Sequence, residues 1–170
     1  MDYDKNKEII ANLFQRMRAL SIGFAAILKN EKMQRFFQEQ MELRKKISEI
    51  FSNYCGGICR QCKGDCCHSY VWLHKKDLLL FLSQGGLNFP EPDWNFVNSE
   101  HCCIFLNASG CILKEFRPWQ CLKYVCNKFY TTEKIDAKVF EEIAGLVYQY
   151  EFITNKLAGE MQQKWHLTIE

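Results

Sequence analysis

In three long stretches of this chain apolar residues return every three or four positions, and each stretch predicts an amphipathic helix. The first, from about Asp4 to Lys29, carries Ile9, Ile10, Leu13, Phe14, Met17, Leu20 and Phe24. The second follows Asn30 and carries Met33, Phe36, Phe37, Leu43, Ile47, Ile50 and Phe51. These two are expected to pair as an antiparallel hairpin. Cys55-Gly56-Gly57 ends the second, since glycine is the natural helix stop. The third, from about Lys134 to Trp165, carries Val139, Ile143, Leu146, Val147, Tyr150, Ile153, Leu157, Met161 and Trp165. These apolar stripes read as core rather than as cofactor contacts.

Shorter signals lie between them. Lys75–Ser83 reads as a short buried helix closed by Gly85-Gly86, and Asn88–Trp94 as loop, because Pro90 and Pro92 break helix and ladder alike. Within residues 101–113 two apolar runs flank Asn107-Ala-Ser-Gly110, the pattern of two short strands and a turn. Arg117-Pro118 opens a helical turn through Cys121 and Cys126, proline being tolerated at the first helical position. The expected fold is mainly α: a helical bundle clasping an irregular cysteine-rich metal-binding core with one small β-hairpin. Residues 1–54 form the N-terminal helical hairpin, 55–130 the cysteine-cluster core, and 131–170 a long helix packing on the same domain.

Composition narrows the class. With 170 residues, 48% hydrophobic and 14% aromatic, the chain can build a core. A net charge of +2 and a pI near 8.0 give no electrostatic case for nucleic acid or an acidic membrane. The N-terminus is polar and mixed in sign, unlike a signal peptide. The apolar stretch from Ala19 to Leu28 is about half of what a membrane crossing requires, and Ser21 interrupts it. The expectation is a cytoplasmic protein, where ten cysteines serve better as metal-holding thiolates than as a disulfide frame.

Eight of those cysteines form two blocks. Cys59, Cys62, Cys66 and Cys67 make the first; Cys103, Cys111, Cys121 and Cys126 make the second. A Cys-x2-Cys pair can turn both sulfurs to one ion, as in zinc knuckles and ferredoxin loops, and Gly64 permits a tight turn beside it. Adjacent side chains diverge, so Cys66 and Cys67 serve different centres or opposite sides of one. Eight thiolates suffice for two four-coordinate sites, or for one cluster with a looser set nearby. Zinc and an iron–sulfur cluster such as a 4Fe-4S cubane both accept this donor set. Residues 55–70 carry almost nothing apolar, so they are expected to be an irregular loop shaped by ligation, and metal is expected to be required for the protein to fold. Arg117 is a candidate to offset the negative charge of a thiolate site, its backbone being restrained by the following proline.

The remaining candidates weigh less. Cys55 and Cys102 fall outside the best spacing, His68 and His101 sit beside cysteines as secondary ligand candidates, and His74 and His166 read as surface or helix-end residues. Cys55-x3-Cys59-x2-Cys62 has the spacing of a radical S-adenosylmethionine loop, but no strand–helix repeat follows to build the barrel that chemistry uses. No acid–base pair or nucleophile–base motif is visible.

At these residues the chain resembles the CxxCxxCC family of zinc- or iron-chelating (YkgJ-like) cysteine-cluster proteins. The matching features are Cys59, Cys62 and Cys66-Cys67; Cys103 with Phe105 and Leu106; Gly110-Cys111-Ile112; Arg117-Pro118 with Cys121; and Cys126. Val71-Trp72-Leu73 followed by Asp77 is similar to the family's entry into its first helix. The departures are three residues before the double cysteine and Ile104 where proline is common. The likeness spans roughly residues 55–130 and implies a bound zinc or iron centre. A related enzyme, the flagellin lysine methylase, shares the cysteine arrangement.

Three functions follow as expectations. First is a metal-binding protein whose centre is structural, redox-active or sensing. Second is an iron–sulfur-dependent protein (lysine) methyltransferase-like enzyme, against which stands the lack of a glycine-rich strand–helix signature. Third is a zinc-stapled protein-interaction module docking a protein partner through its helices, supported if an apolar patch is exposed on the N-terminal helices.

Overall fold

The computed structural model describes residues 3–62, 73–86, 90–91, 103–107, 110–123 and 136–167. Among them the chain is mainly helical: α1 (Tyr3–Gly23), α2 (Ala25–Leu28), α3 (Glu31–Cys62), α4 (Lys75–Ser83), α5 (Trp119–Lys123) and α6 (Ala137–Trp165). The strands are β1 (Leu106–Asn107) and β2 (Gly110–Cys111), antiparallel, with Leu106 opposite Cys111 and Asn107 opposite Gly110. A 3-10 turn, Lys114–Phe116, follows them.

The helix ends follow local chemistry. Asn30 Oδ1 accepts the Met33 N–H at 3.2 Å and starts α3. Asp136 does the same for α6, accepting from the Val139 N–H at 3.0 Å. After α4 the chain turns at Gly85, whose φ of 76° suits a residue without Cβ. His166, with φ 53°, closes α6 as its N–H donates to the Gln162 carbonyl at 3.0 Å.

α3 is the axis of the fold, and its long antiparallel partner is α6. Lys32 pairs with Glu160, Gln40 donates to Thr154 at 2.7 Å, and Arg44 donates to Tyr150, so positions rise along one helix as they fall along the other. α1 lies chiefly against α4. The two N-terminal stripes therefore face different partners, where periodicity predicts that they face each other: a helix face is apolar without naming what covers it. Leu13 and Met17 of α1 pack with Leu78, Phe81 and Leu82 of α4 and with Ile104, Phe105 and Leu113 around the strands. Leu43, Ile47 and Phe51 of α3 pack with Trp119, Leu122, Val139, Ile143 and Tyr150. Met33, Phe37 and Met41 pack with Leu79, Leu80, Leu157 and Met161. Phe14, placed on the first stripe by spacing, is 36% exposed.

One boundary moves. α3 passes through Gly56 and Gly57 and ends at Cys62, where a stop at Cys55 and an irregular loop from there are predicted. Glycine inside a helix costs only about 1 kcal/mol, less than the packing that carries α3 along α6 and α5 supplies. The predicted loop at 63–70, the greater part of Asn88–Trp94 and the turn residues 108–109 lie outside the described residues. No described helix is long and apolar enough to cross a membrane.

Candidate metal centre

The β-hairpin holds the best-defined cysteines. Cys103 opens it: the Leu106 N–H donates to the Cys103 carbonyl at 2.9 Å, and the Phe105 N–H points at Cys103 Sγ at 3.5 Å. Cys111 closes it on β2, and the backbone amides of Leu113 and Lys114 turn back toward its sulfur. Lys114 adopts φ 49°, a left-handed conformation that costs a non-glycine residue about 1–2 kcal/mol and here belongs to the turn that follows the sulfur. Both cysteines pack at the edge of the cluster formed by α1, α4 and the strands. Hydrogen bonds from amides to sulfur favour thiolate over thiol, as metal-bound sulfur requires.

Electrostatics at Cys111 pull in two directions. Burial pushes its thiol above the ordinary range, while the nearby Arg117 guanidinium and the Leu113 and Lys114 amides favour the anion. Burial prevails, so the fold by itself favours the neutral thiol at Cys111. Arg117 is held beside it: Nε donates to the Lys114 carbonyl at 3.0 Å, Nη2 donates to Ser48 Oγ at 3.1 Å, and the guanidinium lies 5.9 Å from the Phe51 ring centroid. Its charge is thereby close enough to Cys111 to favour the anion there.

The other candidate ligands are placed as follows. Cys121 is exposed on α5, where its N–H donates to the Pro118 carbonyl at 2.8 Å. Cys55, Cys59 and Cys62 fall within the C-terminal part of α3. Cys66, Cys67, Cys126, Cys102, His68 and His101 lie outside the described residues. Among the described residues, no three His, Cys, Asp or Glu side chains are gathered as a metal-binding group. Cys103 and Cys111 share one edge of the core.

Sequence reasoning missed a second constellation beside this hairpin. Arg44 is buried in α3 with each arm used: Nε donates to Tyr150 Oη at 2.9 Å, Nη1 to the Arg117 carbonyl at 2.7 Å, and Nη2 to Asp77 Oδ1. Asp77 Oδ1 also accepts the Trp119 N–H at 3.0 Å, and Oδ2 accepts the His74 N–H at 3.1 Å. Trp119 stacks on Tyr150 with centroids 3.9 Å apart. Asp77 was visible through the family pattern; Arg44 was not, because one basic residue on a polar-rich helix has no spacing signature. Burial alone would lower the Arg44 pKa, but Tyr150 and Asp77 hold its proton more firmly and raise it.

The same burial raises the phenol of Tyr150 above its ordinary value of 10.0, against the pull of Arg44 and with the help of Asp77. The fold therefore favours the neutral phenol. That contribution is intact below about pH 10 and is lost as pH rises through the higher folded-state value. In an alkaline titration followed by tyrosinate absorbance, a late-ionising component should appear in the native protein and be absent in denaturant. That component should vanish in Tyr150→Phe; its absence from the native parent would contradict the buried contact.

Fold and site together describe a mainly helical protein with a cysteine-bearing hairpin seated beside a buried ionic cluster. Compared with models of protein families, with curated proteins and with solved structures, the chain matches none.

Proposed function

We propose that this chain is a metal-binding protein of the CxxCxxCC kind, holding zinc or an iron–sulfur cluster on thiolates from both cysteine blocks, in a structural, redox or sensing role. In this reading the helical frame carries the edge of the core on which Cys103 and Cys111 stand. One observation carries this reading: backbone amides are turned toward the sulfurs at both ends of the hairpin, from Phe105 to Cys103 and from Leu113 and Lys114 to Cys111. Amide donors stabilise a charged sulfur and do little for a neutral thiol. Cys59, Cys62, Cys66, Cys67, Cys121 and Cys126 complete the proposed ligand set, and the resemblance supports their inclusion.

The test is the iron, zinc and acid-labile sulfide content of protein purified without oxygen, for the parent and for Cys103→Ser with Cys111→Ser. Equal iron and sulfide with visible charge-transfer absorption identifies a cluster; about one or two zinc ions per chain identifies a zinc centre. The double variant should lose most of the metal. Parent and variant binding the same amount would refute the assignment. A zinc result would favour a second reading, a stapled module that docks a protein. That reading draws on Ile22 of α1 and on Tyr148 and Phe152 of α6, exposed at 72%, 72% and 51%.

A further inference from the structure

The metal reading leaves the buried ionic cluster without a role. Arg44 and Asp77 are 1% and 3% exposed. Burying such a pair costs so much desolvation that apolar residues of similar volume commonly serve a fold as well or better. What apolar residues could not do is hold backbone. Arg44 Nη1 donates to the Arg117 carbonyl at 2.7 Å and lies 3.5 Å from the Glu115 carbonyl, while Asp77 Oδ1 accepts the Trp119 N–H at 3.0 Å. Peptide groups along 115–119 are thereby tied to α3 and α4 at once. That segment joins Cys111 to Cys121, and it carries Arg117, the cation beside Cys111.

We propose that Arg44 and Asp77 are the positioning residues of the metal centre, setting where Cys111, Arg117 and Cys121 stand relative to the helical frame. The inference rests on the metal-binding reading. The pair acts through its hydrogen bonds to the backbone of the segment between Cys111 and Cys121. Groups that orient ligands in this way commonly change metal affinity by about 10–100-fold when removed.

The test replaces both partners together, Arg44→Met with Asp77→Leu, so that no lone charge is left buried. Metal retention by the protein as purified is then measured by competition with a chelator, alongside helix content and the visible spectrum. The expected result is native helix content, affinity lower by about 10–100-fold and, where the centre is an iron–sulfur cluster, shifted charge-transfer bands. Lys32→Gln, which removes the ion pair with Glu160 near the start of α3, should leave affinity and spectrum unchanged. If the double variant fails to fold, Asp77→Asn carries the test, with the same direction of effect. A folded variant with parental affinity and spectrum overturns the positioning role alone. A parent protein without metal overturns both this role and the metal-binding reading.

Discussion

Arg44→Met alone should destabilise the protein by about 3–5 kcal/mol, the usual cost of stranding one member of a buried ion pair. Asp77 is buried, and without Arg44 its carboxylate keeps only the His74 and Trp119 amides. The Arg117 carbonyl and Tyr150 Oη lose a donor at the same time. Domains are stable by only about 5–15 kcal/mol, so the loss is a large share of the total. For a chain of this size it corresponds to a fall of about 10 °C in melting temperature. Adding Asp77→Leu to Arg44→Met should recover most of that loss, because the desolvation cost of the lone carboxylate disappears. Denaturant unfolding followed by circular dichroism measures both. A single variant within about 1 kcal/mol of the parent would mean that water reaches Asp77, contrary to its burial.

The second large effect is expected on metal removal. Metal release should lower the melting temperature by about 10 °C or more, since binding free energy at a thiolate site is folding free energy for the residues it gathers. The loss should be local. Among the described residues, the two packed clusters joining α3 to α6 draw no members from the cysteines, whereas the cluster of α1, α4 and the strands is edged by Cys103 and Cys111. Hydrogen exchange should therefore show early deprotection at Phe105, Leu113 and Lys114, with α3 near Arg44 and α6 near Tyr150 still protected. This is narrower than the expectation from sequence that folding as a whole requires metal. The structure supplies apolar contacts away from the cysteine loop that composition alone did not locate. A chelated protein, shown by analysis to be metal-free, with unchanged melting and unchanged exchange at those amides would sink the prediction.

The helices were legible because their stripes are long. Val139, Ile143, Tyr150, Leu157 and Met161 recur at helical spacing, and all are buried on α6. The short helix at Lys75–Ser83 and the hairpin around Asn107–Gly110 were legible too, since glycine, proline and short apolar runs act within a few residues of where they stand. The end of α3 was misread at Gly56-Gly57 for the converse reason: a glycine pair is a weak local stop, costing about 1 kcal/mol per residue, and the helix runs through it to Cys62. Of the candidate site, the cysteine positions could be read directly, while the amides aimed at Cys103 and Cys111 depend on the hairpin register.

By itself, then, the sequence determined that this protein is mainly helical, where most of its helices begin, and that its cysteines fall in two blocks. These properties are written in spacings of three and four residues and in local turn chemistry. Only the tertiary structure decided that α3 pairs with α6 and α1 with α4, and that Arg44, Asp77, Trp119 and Tyr150 meet in one buried cluster. Those contacts join residues 33, 42 and 106 positions apart. No periodicity links such distant positions; their partners are chosen by which buried polar group can satisfy which other once the helices have packed.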